Sequence, residues 1–138
     1  MTELVRFGIS LEGGLLKNFD RLIKERKYKN RSEAIRDMMR AEFVKRQWRQ
    51  NMEVAGTITM VYDHHKRELV NKLTDIQHDF HDIVISSQQI HLDHNNCLET
   101  VIAKGRSGEI EKLAYKLKSA RGVKYGALTI ATIAKKLL

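Results

Sequence analysis

The sequence predicts an α+β protein built in two parts. Residues 1–50 read as a strand followed by two helices, and residues 51–138 as a βαββαβ unit. Three observations carry this. Apolar residues alternate near the N-terminus, as in a half-buried strand. They then recur at helical spacing in two successive stretches. From residue 57 onward, β-rich and helical segments follow one another in the order β, α, β, β, α, β.

In the first part, Val5, Phe7, Ile9 and Leu11 alternate with Arg6, Gly8 and Ser10. This period of two gives a short strand with one buried face. Gly13-Gly14 breaks it. Leu15, Leu16, Phe19, Leu22 and Ile23 then line one face of a helix. Asn30 stands three residues before Glu33, the spacing of an N-cap with its capping-box partner, and opens a second helix. Ala34, Ile35, Met38 and Met39 form the apolar face of that helix, with Arg31, Arg36 and Arg40 turned to solvent or phosphate. A lone strand has no ladder partner, and about fifty residues bury little core by themselves. Pairing the strand antiparallel with its copy in a second chain answers both needs. The resulting ribbon displays Arg6, Gly8 and Ser10 twice, and such ribbons enter the DNA major groove.

In the second part, Thr57–Tyr62 reads as a strand and His65–Gln77 as a helix with Leu69, Val70 and Leu73 inward. Ile83–Leu92 and Cys97–Ala103 are the next strands. Glu109–Ala120 is a helix carrying Ile110, Leu113 and Leu117, and Val123–Ala131 closes the unit. That order is the ferredoxin-like split unit. With no proline and no Gly/Ser-rich linker, the two parts are expected to join through a continuous helix or a short loop.

Charge and composition narrow the function. The chain has 138 residues and a formal net charge of +8. Residues 1–50 hold 13 Lys/Arg against 7 Asp/Glu, and residues 51–138 hold 12 against 10. The excess lies in the first part, where it favours a polyanionic partner. No apolar run approaches 18 residues and no signal-peptide pattern is present, so a cytoplasmic protein with no membrane partner is expected. A single cysteine makes no internal disulfide, and a reducing compartment keeps it available to metal. Nothing resembles a nucleophile motif or a general-base spacing, so an enzyme is not expected.

The stretch from Gln77 to Cys97 holds four of the six histidines and the only cysteine, Cys97. Thiolate and imidazole together suit late divalent metals. On the strand Ile83–Leu92, Gln89 and His91 share a face, and Cys97, opening the next strand, can lie beside His91. His78, at the end of the preceding helix, can reach a neighbouring subunit.

Several blocks carry a resemblance. The run Arg6-Phe7-Gly8-Ile9-Ser10-Leu11, followed by Asn30 through Asp37, resembles the ribbon-helix-helix repressors. More narrowly, Tyr28 through Asp37, then Tyr62-Asp63-His64-His65-Lys66-Arg67, Gln77-His78 and His94-Asn95-Asn96-Cys97-Leu98-Glu99, are similar in order and spacing to the nickel-responsive regulators, NikR. The resemblance spans nearly the whole chain. It implies a homotetrameric repressor, a dimer of dimers, that binds double-stranded operator DNA through its ribbons and nickel(II) through an ACT-like second domain. It places the metal on His78, Gln89, His91 and Cys97, with His78 supplied by an adjacent chain to a square-planar site. Asn30 and Arg31 join Arg6, Gly8 and Ser10 as DNA contacts, and Lys66 and Arg67 contact phosphates. Glu33 and Asp37 match residues that hold a second, monovalent cation between the domains.

Two positions depart from that pattern. Where the family has a second strand histidine, this chain has Gln89, whose neutral amide oxygen is a weaker donor than imidazole for nickel(II). The fourth position then falls to Gln89, to water, or to His81 or His94; otherwise the site takes another late metal or has lost metal control. Gly8 stands where the family has a hydroxyl residue, so the operator sequence, or the stringency of its reading, should differ. His64 and His65, beside Lys66-Arg67, are adjacent histidines able to bind metal weakly, though such pairs are mostly just solvated.

Overall fold

The structure is a computed structural model, and it describes residues 3–135 and 137. Two compact units emerge, Met1–Met39 and Arg40–Leu138.

The first unit contains α1 (Gly13–Glu25) and the start of α2 (Arg31–Arg49). Gly13 and Gly14 form the first turn of α1 and so start a helix instead of only ending a strand. The helix ends where Arg26 donates to the Leu22 carbonyl and Lys27 takes a positive φ of 61°, with the Tyr28 amide bonded back to Ile23. The side chain of Asn30 caps α2, its Oδ1 accepting from the Glu33 amide at 2.8 Å. That is the predicted cap, and it satisfies a donor the helix leaves without a partner. Residues 3–12 form no β-ladder among the described residues, and Phe7 is 68% and Ile9 60% exposed. The reason is the one the sequence implies: a strand is defined by its partner, and one chain does not supply it.

The second unit holds the end of α2 and a four-stranded antiparallel sheet in the order β2-β3-β1-β4. Its strands are β1 (Glu53–Asp63), β2 (Val84–His91), β3 (Asn96–Arg106) and β4 (Val123–Ile130), with α3 (Arg67–Asp79) and α4 (Ser107–Lys118) between them. This is the expected βαββαβ order. Strict alternation along β1 buries Val54, Ile58, Met60 and Tyr62 against Leu73, Ile110, Leu113 and Leu117. β1 begins four residues earlier than the β-rich segment suggests. Trp48 packs on this part of the strand: its ring lies 3.1 Å from where a Cβ on Gly56 would sit, so a side chain there would push the indole aside. The Trp48 indole donates to the Ala131 carbonyl at 2.9 Å, which settles the buried N–H. Gly122, at φ +105°, makes the turn into β4 in a region that side chains rarely adopt. Among the described residues, no helix is long and apolar enough to cross a membrane.

Candidate metal centre and nucleic-acid interface

The register of the sheet decides what can meet. His91 pairs with Cys97 and Gln89 with Glu99 across β2 and β3. Tyr62 on β1 pairs with Cys97 from the other side. Alternation therefore puts Gln89, His91, Cys97, Glu99 and Tyr62 on one face, the face covered by helices. The expected juxtaposition of His91 and Cys97 is present.

Cys97 is fully buried. Burial pushes its thiol pKa up, the Tyr62 hydroxyl beside it works in the opposite direction, and the nearby Glu99 charge adds to the rise. A proton is thus held on sulfur until a cation takes its place. Glu99 is only 2% exposed, and its carboxylate is fully engaged. Tyr62 donates to one oxygen at 2.6 Å, and Gln77, on α3, donates to the other at 3.1 Å. Burial and the Glu99 bond hold the Tyr62 phenol well above its ordinary value, so it remains a donor.

Gln89 joins this network. Its Nε2 donates to the Tyr62 hydroxyl at 3.2 Å. The chain Gln89–Tyr62–Glu99–Gln77 therefore ties β2 to α3, one residue before His78. Thiolate and imidazole fit a late divalent metal, whereas a Gln89 amide committed to Tyr62 offers only its weak oxygen donor.

His78 lies in the last turn of α3, its ring 6.4 Å from that of His81. Among the described residues, no three His, Cys, Asp or Glu side chains are already gathered as a metal cage. His81 is occupied with its neighbour Asp82, at 3.1 Å. His94 lies in the turn between β2 and β3, its ring 5.2 Å from that of His65.

From the sequence His64 reads only as half of a weakly metal-binding or solvated pair, with no link to His91. The His64 ring stacks on His91, with centroids 4.2 Å apart and planes 6° from parallel. The signal was available in parity: residue 64 continues the even positions of β1 that face the helices. It was masked by the adjacent His65 and by Lys66-Arg67, which look like solvated charge.

The basic residues form two groups. Lys66, at the N-cap of α3, and Arg67 line a cleft of about 1170 Å³ together with Lys72, Lys116 and Arg121. In the first unit, Arg31 forms a paired contact with Asp20, at 2.9 and 2.8 Å. That ion pair holds the Asp20 carboxyl below the usual carboxylate range. Arg31 thus braces α1 against α2 in the single chain. Arg6, Gly8 and Ser10 lie in the exposed segment before α1. Of the pair expected to hold a second cation, Asp37 accepts a hydrogen bond from the Tyr28 hydroxyl, while Glu33 sits in the first turn of α2.

Residues 55–131 match the family described as the NikR C-terminal nickel-binding domain. Residues 5–45 match the ribbon-helix-helix proteins of the copG family. A protein of Syntrophus aciditrophicus, named "Putative nickel-responsive regulator", is 56% identical over 96% of this chain and 97% of its own length. One of the same name from Chlorobium limicola is 55% identical over 96% of this chain and 98% of its own. An uncharacterised protein of Thermotoga maritima is similar in fold at a TM-score of 0.51 and 15% identity, over 56% of this chain and 96% of that one. A ribbon-helix-helix segment, a βαββαβ unit with paired His91 and Cys97, and full-length relatives above half identity lead to one conclusion: this chain belongs to the nickel-responsive regulator family.

Proposed function

We propose that the protein is a metal-responsive, sequence-specific DNA-binding repressor that senses nickel(II). The observation that carries this is the cross-strand pair of His91 and Cys97, in a chain whose first unit is a ribbon-helix-helix segment. Cys97 and His91, with His78 of a second copy, would hold the metal. Nickel bound there would supply a positive charge that stabilises the Cys97 thiolate and a link between two chains.

The chain's own residues account for the rest. Cys97 would give up its proton to solvent as the metal binds, and Tyr62, its one O–H committed to Glu99, holds Gln89 in place beside the site. Glu99 and Gln77 fix the end of α3, so the position of His78 responds to what happens on β2. The edge strand β2 exposes Ile85 and Ile90. An apolar edge of this kind pairs readily with a second copy, which supports a homotetrameric dimer of dimers. The exposed Phe7 and Ile9 support ribbon pairing, with Arg6 and Ser10 reading base edges and Gly8 letting the backbone approach. Asn30 at the start of α2 faces the operator backbone. Arg31 can join it only by leaving Asp20. Lys66 and Arg67 give phosphate contacts, and Glu33 and Asp37 a monovalent cation site. Metal helps DNA binding only so far as it favours the DNA-competent arrangement.

The test is selection of bound sequences from random duplex DNA by the full chain, with and without nickel. The expected result is enrichment of two spaced half-sites in nickel alone. Equal enrichment without nickel overturns metal control and leaves a DNA-binding regulator whose second unit does not gate it.

A further inference from the structure

We infer that His64 of the same protomer, and not Gln89, supplies the imidazole that completes the metal site. The inference rests on the nickel-sensing reading above and specifies one ligand within it.

Three features single out His64. The first is position. Its amide donates to the Asn95 carbonyl at 3.1 Å, which extends the β1–β3 pairing past Tyr62 and Cys97. This carries an imidazole from the end of β1 to His91 on β2, on the same face as Cys97.

The second is orientation. His64 Nε2 lies 3.0 Å from the His94 carbonyl oxygen. A carbonyl only accepts, so Nε2 carries the proton and Nδ1 carries the lone pair. Metal-ligating histidines commonly use their outer N–H this way, since it fixes the tautomer and raises the basicity of the ligating nitrogen.

The third is reach. With metal–nitrogen bonds of about 2.0–2.1 Å, two nitrogens on one ion lie roughly 3–4 Å apart. The two ring centroids are 4.2 Å apart and stacked, so the rings are neighbours, and both must turn out of the stack before their in-plane lone pairs meet on one ion. His91 is exposed and His64 half-buried, so that turn displaces no core atom. Of the other candidates, Gln89 offers only its weak amide oxygen, His81 lies beside Asp82, and the His94 ring lies against His65. The resulting set is His64, His91, Cys97 and His78 of a second copy. It is three imidazoles and a thiolate, with the third imidazole drawn from β1 instead of β2.

The experiment is competitive titration of nickel(II) into the full-length protein, with the thiolate-to-nickel absorption band recorded in parallel. His64→Ala should weaken nickel binding about tenfold or more, and His81→Ala should change it less than about threefold. Adding Gln89→His to His64→Ala should restore affinity to within about threefold of wild type, because an imidazole returns to the β2 face. A merely structural role for His64 gives no such rescue. His64→Gln keeps an N–H for the His94 carbonyl but removes the imidazole, and it should weaken nickel as His64→Ala does; it serves if the alanine variant fails to fold. The inference is overturned if both His64 variants titrate like wild type, or if Gln89→His fails to rescue. If wild type itself binds no nickel, or Cys97→Ser and His91→Ala bind it as well as wild type does, the metal-site reading falls and the inference falls with it.

Discussion

The two units are incomplete in different ways. The second unit closes its own core: Ile58, Met60, Leu113 and Leu117 are fully buried, and its buried Glu99 has partners on both oxygens. What it lacks is a finished site, since no three of its His, Cys, Asp or Glu side chains are gathered around one point among the described residues. The first unit is short of core. No residue of α1 is buried, and Val5, Phe7 and Ile9 are exposed. On the proposed reading, a second chain completes the metal site of one unit and the core of the other. The same residue type should then have different effects on either side of Met39.

Core truncation gives the largest contrast. Trp48→Ala should cost about 3–5 kcal/mol of second-unit stability, because it strips the packing over Gly56 and removes the hydrogen bond to the Ala131 carbonyl. Phe7→Ala should leave that unit's denaturation midpoint unchanged, yet abolish dimeric operator binding. Chemical denaturation and sedimentation together check both. If Phe7→Ala unfolds the second unit as well, the units are not energetically separate.

The next prediction concerns the network. Tyr62→Phe removes a donor from the buried Glu99 and the acceptor of Gln89, and should cost about 1–3 kcal/mol. Thermal unfolding without metal measures it. An unchanged midpoint would mean that the Glu99 carboxylate finds another donor.

Much of this was legible in the sequence, for definite reasons. The βαββαβ order could be read because Gly105, Gly122 and charged stretches separate short apolar runs. The cap at Asn30 could be read because its chemistry is local. The pairing of His91 with Cys97 followed from parity and a short turn. Gln89 was placed on the right face, but its bond to Tyr62 depends on a third strand. The stacking of His64 on His91 needed the full order β2-β3-β1, which brings the end of β1 to the end of β2 across Cys97. The N-terminal strand was read as a strand, and one chain leaves it without a ladder.

On the DNA side, Arg6→Ala should cost about 1–3 kcal/mol of operator affinity for each bidentate base pairing it removes, with nickel affinity unchanged. Binding isotherms on operator and random DNA decide it. An equal drop on both would make Arg6 a phosphate contact.

The smallest effect should be electrostatic. The Arg31 hydrogen bond holds the folded Asp20 pKa below its unfolded value. Its contribution to stability is therefore present above the unfolded carboxylate pKa of about 3.9 and is lost as pH falls through the folded value. Asp20→Asn should flatten the acid limb of first-unit unfolding below about pH 4 and leave neutral-pH behaviour nearly unchanged. An identical acid limb in both proteins would mean that the pair contributes nothing in solution.

The central claim is that metal on the second unit and DNA on the first are coupled. It is tested most directly by a closed cycle: operator affinity with and without nickel, and nickel affinity with and without operator. Coupling requires the two ratios to be equal, and both should be about tenfold or more, falling to one in Cys97→Ser. Nickel that binds tightly through Cys97 while leaving operator affinity unchanged would contradict the account.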